Sequence, residues 1–247
     1  MADVIRTGSV TPIVALDVPD AASARALVDR LGAACGFYKV GLELFTAEGP
    51  AIVAWLRGEG KQVFVDLKLH DIPNTVRAAA RSVARHGASL LTVHASGGIE
   101  MIAAAVEGAR DGASDAAMPC RVLGVTILTS LDGTSVGAAW GRPPVQVETE
   151  VLRLAADVRA GGAAGIVCSG HEAAAVREAQ GADFGLLIPG IRLAGGDLHD
   201  QRRVMTPGDA SEAGATWIIL GRAVTGAADP VTAMATVRDS LAKAEKR

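Results

Sequence analysis

Short apolar runs recur along the chain, each separated from the next by enough residues to form one helix. They lie at 13–17, 37–40, 63–68, 90–94, 121–128, 165–168, 184–188 and 217–220, and most are near-continuous in Val, Ile, Leu and Phe. A strand with one face in water alternates apolar and polar residues, whereas a strand covered on both faces reads as an unbroken apolar run. Each run is followed by an Ala-rich segment with helical spacing, at 20–31, 47–57, 74–86, 98–110, 147–160, 171–178, 207–212 and 230–244. Eight strand–helix units in strict alternation predict a parallel sheet, and their number and spacing predict a single (β/α)8 TIM barrel over residues 1–247. Barrels of this kind commonly run to about 250 residues as one domain. No G-x-G-x-x-G opens the first helix, which argues against a dinucleotide-binding sheet. No linker, low-complexity stretch or charge block divides the chain.

Composition narrows the function classes. The net charge of -3 carries no polyanion-binding signature, and aromatic residues at 3% are too few for base-stacking platforms, so nucleic acid is not an expected partner. No apolar run approaches the ~20 residues of a membrane-spanning helix, and the first ten residues contain Asp3 and Arg6 without a leader-like apolar stretch. The expectation is a soluble cytoplasmic protein with no membrane partner. Cys35, Cys120 and Cys168 form neither a CxxC nor a zinc spacing and read as core thiols. His70, His86, His171 and His199 share no ligand spacing, so no metal site is expected.

The third apolar run departs from the others. It reads Phe-Val-Asp-Leu-Lys-Leu-His-Asp-Ile-Pro-Asn-Thr over 64–75. Asp66 and Lys68 are two apart, so on a strand they project from the same face. Asp71 falls past the strand end, where the chain can turn it back or hand it to a neighbour. Charges on a buried strand are costly unless paired, and such a set is either a structural ion pair or chemistry. The other runs tip the balance. Barrel enzymes work at the carboxyl ends of their strands, and polar residues stand there repeatedly: Asp17 on the first, Lys39 on the second, His94 on the fourth, Thr129 and Ser130 after the fifth. His94 is a candidate base or a hydrogen-bonded core residue. Gly190-Ile191-Arg192 and Gly221-Arg222 follow the seventh and eighth runs, where many barrels bind phosphate; each is a phosphate cradle or a turn with a solvated arginine. The polar segment 193–206, with Gln201, is a lid or an ordinary exposed loop, and 130–146 reads as a surface loop.

Asp66-x-Lys68-x-x-Asp71-Ile72-Pro73-Asn74-Thr75, with Leu16-Asp17, Lys39-Val40-Gly41, Pro189-Gly190-Ile191-Arg192 and Gly221-Arg222, resembles the orotidine 5'-monophosphate decarboxylase family over nearly the whole chain. The resemblance implies removal of CO2 from orotidine 5'-monophosphate to give uridine 5'-monophosphate, without metal or organic cofactor. It implies that Lys68 stabilises and protonates the C6 carbanion, and that Asp66, Lys39 and Asp71 hold its ammonium charged and aimed. By the same resemblance Asp17 and Lys39 contact the ribose, Thr129 lies near the base, and Gln201, Gly221 and Arg222 hold the phosphate with Arg192. It implies a homodimer in which Asp71 and Thr75, flanking Ile72, reach into the partner's site. Rival readings are an Mg2+-dependent sugar-phosphate decarboxylase or synthase of the same barrel superfamily, and a silent phosphate-ligand sensor. The Ile-Pro-Asn-Thr continuation favours orotidylate, and the intact charge set argues against a sensor.

Overall fold

Eight parallel strands close on themselves in chain order, β1-β2-β3-β4-β5-β6-β7-β8, in a computed structural model that describes residues 9–113, 119–193 and 205–245. The first half runs β1 (Thr11–Leu16), α1 (Ala21–Leu31), β2 (Phe37–Val40), α2 (Leu42–Glu48), α3 (Ala51–Gly58), β3 (Gln62–Leu69), α4 (Pro73–Arg85), β4 (Leu90–His94) and α5 (Ile99–Gly112). The second runs β5 (Arg121–Val125), α6 (Gly133–Ala139), α7 (Val147–Ala160), β6 (Gly165–Val167), α8 (Gly170–Gln180), β7 (Gly185–Ile188), α9 (Pro207–Glu212), β8 (Trp217–Leu220), α10 (Arg222–Thr225) and α11 (Pro230–Ala244). The expected (β/α)8 barrel is the fold. β8 returns to β1 with Thr11 opposite Trp217 and Val14 opposite Leu220, so no strand edge is left open.

The period of two along each strand divides the apolar residues between two cores. Ile13, Ala15, Phe37, Phe64, Leu90, Leu123, Leu187, Trp217 and Ile219 form one cluster inside the barrel. The alternate residues, such as Val14, Leu16, Tyr38, Val63 and Val65, belong to the larger cluster between sheet and helices. Both clusters exclude water, which is why the strands lack alternation in the sequence. Continuing the inward-facing series toward the carboxyl ends leads from Ala15 to Asp17, from Phe37 to Lys39, from Phe64 to Asp66 and from Leu90 to Thr92. The barrel is therefore filled with hydrocarbon below and with polar groups at its mouth.

Three local differences from the sequence reading have physical causes. The single helix expected at 47–57 is two, α2 and α3, because Gly49 adopts φ 62 and Pro50 caps the second. The loop expected at 130–146 contains α6, whose first turn is capped by Asp132 accepting from the Ser135 N–H at 2.8 Å. The fifth strand ends at Val125 rather than 128, although the Thr126 hydroxyl still donates to Val167 O on β6 at 2.9 Å.

Helices α4 and α5 approach almost backbone to backbone. A Cβ added at Gly108 would lie 2.1 Å from Arg77 O, and one at Gly112 would lie 2.2 Å from Arg81 O. This contact anchors the helix that begins at the end of the charged segment. Alanine at Gly108 would gain up to ~1 kcal/mol of helix propensity, but the backbone oxygen cannot move aside as a flexible side chain would, and overpacking costs ~1–3 kcal/mol. With the overpacking cost in the upper part of that range, ~2–3 kcal/mol, the net loss is ~1–2 kcal/mol, and Gly108→Ala is expected to lower Tm by about 2–8 °C, at roughly 2–4 °C per kcal/mol for a chain of this size. Gly58→Ala, where a Cβ meets nothing within 4 Å, is expected to leave Tm unchanged or raise it. Thermal melts of the two variants check this, and equal Tm values would show that the close approach is not limiting.

Candidate active site

The inward-facing residues at the barrel mouth line a cavity of about 430 Å³, within the range usual for small-molecule sites. Its floor includes Ala15, Phe64, Val125, Val167, Leu187 and Ile219. Asp17, Lys39, Asp66 and Lys68 stand on one side of it, and Gly190, Arg192, Gly221 and Arg222 line it from the ends of β7 and β8. Thr129, beyond β5, also lines it.

The four charged residues at the carboxyl ends of β1, β2 and β3 form one chain of alternating sign. Lys39 Nζ donates to Asp17 Oδ1 at 2.8 Å and lies 3.8 Å from Asp66 Oδ2. Lys68 Nζ donates to the same Asp66 oxygen at 2.9 Å. The side chains of Lys39 and Asp66 are 10% and 13% exposed, so this central pair is not a surface pair screened by water, while Asp17 at 62% forms the exposed end. Lys39 and Asp66 each have two partners in the chain, so losing an outer member, Asp17 or Lys68, still leaves the buried charge one opposite neighbour. Gly41 leaves the pair room, since a Cβ there would lie 2.9 Å from Lys39 Nζ and 3.1 Å from Asp17 Oδ1.

Lys68 does not continue the strand as the sequence pattern predicts. Its φ is 50°, the sole left-handed conformation at a non-glycine among the described residues. The β3–β4 register runs Phe64↔Leu90 and Val65↔Leu91, then jumps to Leu69↔Val93. Asp66, Leu67 and Lys68 thus share the space opposite one residue, Thr92. The Lys68 N–H donates to Thr92 Oγ1 at 3.0 Å, and that hydroxyl donates to Asp66 Oδ1 at 2.8 Å. A non-glycine held left-handed costs on the order of 1–3 kcal/mol and persists where its surroundings over-determine it, commonly at functional sites. Thr92 was not among the expected site residues. The sequence signal for it is a lone polar residue in Leu90-Leu91-Thr92-Val93, two before His94 and on the same face.

Other expected residues are dispersed. Asp71, Ile72 and Thr75 are exposed beyond the end of β3 and do not line the cavity. Asp71 Oδ1 accepts from the Ile72 N–H, and among the described residues the ion pair of Lys68 is with Asp66 and not with Asp71. Gln201 and most of the 193–206 segment lie outside the described residues. The ends flanking that segment pair, with Ile191 bridged to Met205 and the Arg192 N–H donating to Met205 O at 2.9 Å. His94 lies beside His70, ring centroids 5.4 Å apart, and lines a small neighbouring cavity instead. Burial holds its imidazole below the usual range, helped by His70 and Lys68 and opposed by Asp66, which favours the neutral ring. The three cysteines are buried and free, and burial pushes the Cys120 thiol up to about 12. Among the described residues no group of three or more His, Cys, Asp or Glu side chains is placed to hold a metal ion.

Comparison with known proteins agrees with this architecture. The model of the orotidine 5'-phosphate decarboxylase / HUMPS family matches residues 11–237. Orotidine 5'-phosphate decarboxylase of Moorella thermoacetica is 49% identical over 222 residues, covering 90% of this chain and 88% of its own. The protein of the same name from Anaeromyxobacter dehalogenans is 50% identical over 228 residues, covering 92% and 96%. The crystal structure of orotidine 5'-phosphate decarboxylase from Lactobacillus acidophilus superposes with a TM-score of 0.83 at 34% identity, covering 94% of this chain and 98% of that one. The match extends from the first strand into the last helix, and the chain belongs to the orotidine 5'-phosphate decarboxylase / HUMPS family.

Proposed function

We propose that this protein decarboxylates orotidine 5'-monophosphate to uridine 5'-monophosphate, the last step of de novo pyrimidine nucleotide biosynthesis, with Lys68 as the proton donor. The observation that carries the reading is the Lys68 ammonium held 2.9 Å from Asp66 at one side of a cavity whose other side carries Arg192 and Arg222. The distance from a reacting ring to a 5'-phosphate calls for such an arrangement, with an acid at one end and an anion site at the other.

The chemistry explains the charges. When the C6–carboxylate bond breaks, CO2 departs and the electron pair stays on C6, in the plane of the ring and outside its π-system. An ammonium about 4 Å away at an effective dielectric near 20 would stabilise that pair by roughly 4 kcal/mol, a useful part of the ~8–23 kcal/mol enzymes commonly supply. The Lys68 proton then passes to C6, leaving a neutral amine. Pre-organisation matters because Asp66 fixes the ammonium before the reaction begins. In this reading Asp66 also lies near the departing carboxylate, Asp17 accepts from a ribose hydroxyl beside Lys39, and Thr129 lies by the base. Arg192, Arg222 and the backbone at Gly190 and Gly221 hold the phosphate with Gln201. No cofactor is required.

The reading further assigns Asp71 and Thr75 to the site of a second copy, which makes the active unit a homodimer built of one barrel domain per chain. Their position off the cavity of their own chain, beside Ile72 at 66% exposed, supports it. Among the described residues no helix is long and apolar enough to cross a membrane, in keeping with a cytoplasmic enzyme acting on a small molecule.

The direct test follows loss of orotidylate absorbance with purified protein, before and after exhaustive chelation. Turnover in both conditions is expected. Turnover that vanishes with chelator and returns with Mg2+ would move the protein to the metal-dependent branch of the barrel superfamily, and no turnover in either would sink the reading. The shared site has its own test. Lys68→Ala and Asp71→Ala homodimers are each expected to be nearly inactive. Unfolded and refolded as an equal mixture, half the dimers are mixed, and one site in each mixed dimer has both residues intact. About a quarter of wild-type activity is expected for unbiased pairing. No recovery in a mixture shown by mass to contain mixed dimer would refute the sharing.

A further inference from the structure

The β3–β4 register break leaves one side chain with an unusual set of bonds. Thr92 is fully buried, at 0% exposure, and is not among the residues lining the cavity. Its hydroxyl nevertheless connects the two groups that matter most. It accepts from the backbone N–H of Lys68 at 3.0 Å and donates to Asp66 Oδ1 at 2.8 Å. The other oxygen, Asp66 Oδ2, is left to the ammonium groups of Lys68 at 2.9 Å and Lys39 at 3.8 Å.

We infer that Thr92 is a positioning residue, whose hydroxyl clamps the left-handed turn at Lys68 and the Asp66 carboxylate in the one relative placement that aims the ammonium into the cavity. Hydrogen-bond capacity singles out the hydroxyl. A hydroxyl has one proton to give and two lone pairs. Giving the proton to Asp66 Oδ1 fixes the plane of the carboxylate, and so fixes which oxygen faces Lys68. Accepting from the Lys68 N–H replaces the strand carbonyl that an unbroken ladder would have offered at that point, since the pairing resumes only at Leu69↔Val93. A serine can do both. A valine has the shape of threonine and can do neither. A glycine at 68 would make the turn without help, but would carry no ammonium, so a lysine there needs an external hold. A reacting group displaced by about 1 Å can lose ~10²-fold in rate.

This inference rests on Lys68 being the acid of the proposed reaction, so its experiment has one readout that needs turnover and one that does not. Thr92→Val is expected to lower kcat on orotidylate by about 10–100-fold, while KM and the affinity for uridine 5'-monophosphate stay within about threefold of wild type. Such a split marks a group whose loss is felt in the transition state rather than in binding. Thr92→Ser is expected to stay within about threefold of wild type in all three quantities. Independently of activity, amide hydrogen exchange across residues 66–70 is expected to be at least about tenfold faster in Thr92→Val than in wild type or Thr92→Ser, with the strands opposite unaffected. Should Thr92→Val not be recovered folded, Thr92→Ala removes the same hydroxyl without adding a methyl in its place, and the same comparisons are read on it. Unchanged kcat, unchanged exchange at 66–70, equal losses in kcat and nucleotide affinity, or a Thr92→Ser enzyme as impaired as Thr92→Val would each overturn the assignment. Wild-type protein that does not turn over orotidylate would instead overturn the proposed function, and the exchange comparison would still decide whether the hydroxyl holds the turn.

Discussion

Two ammonium groups share one carboxylate oxygen. Lys68 lies 2.9 Å and Lys39 3.8 Å from Asp66 Oδ2, in a setting where Asp66 and Lys39 are largely withdrawn from water. The carboxylate offsets part of the desolvation cost of drawing the two ammonium groups in beside it. Asp17 closes the series at the exposed end, 2.8 Å from Lys39. The four charges sum to zero, so the site tolerates burial while keeping a localised positive charge aimed at the cavity. A substrate bearing a carboxylate meets that charge beside a negative one, and the balance between the two changes as the carboxylate leaves. Interactions of this kind matter most where they strengthen in the transition state.

The barrel makes the arrangement possible. Parallel strands present alternate residues inward, and the register sets Lys39 opposite Ala15 and Phe64, one inward step before Asp17 and Asp66, so its long side chain can reach up to both carboxylates. Lys68 is the exception. On an unbroken strand it would stand above Asp66 in the ordinary stagger; instead three residues of β3 bulge opposite Thr92, and φ at Lys68 turns positive. The strain sits at the one residue whose side chain must point along a particular line, and it is held from β4 rather than from within β3.

Much of this was legible in the sequence. The doubly covered strands betrayed themselves as unbroken apolar runs, and β2, β4, β8 and α7 have the residues expected. Asp17, Lys39 and Asp66 could be placed at the carboxyl ends of their strands from period and position, because that placement depends on backbone geometry common to every barrel; their joining with Lys68 into one network was implied by the family resemblance, and the turn at Lys68 was not legible. The rest depended on tertiary contacts. Gly49-Pro50 breaks a helix that its apolar spacing would continue. Thr92 looks like a β-former in a strand, and nothing local says that its hydroxyl serves a different strand across a register jump. Asp71 and Thr75 do not line the cavity of their own chain, which depends on how the chain leaves β3 and not on the motif's residues.

The central claim is that an ammonium at the position of Lys68 Nζ, and not simply a side chain of that size, drives the reaction. Lys68→Cys followed by alkylation with 2-bromoethylamine tests it most directly, because the product carries an ammonium on a chain of lysine's length with sulfur in place of one methylene. Wild-type protein treated in parallel controls for the buried Cys35, Cys120 and Cys168. General acid catalysis is typically worth ~10²–10⁴-fold, so the unmodified variant should lose at least about 10²-fold in kcat on orotidylate, and alkylation should restore at least about tenfold of that. Complete alkylation at position 68, verified by mass, with no recovery of kcat would contradict the account.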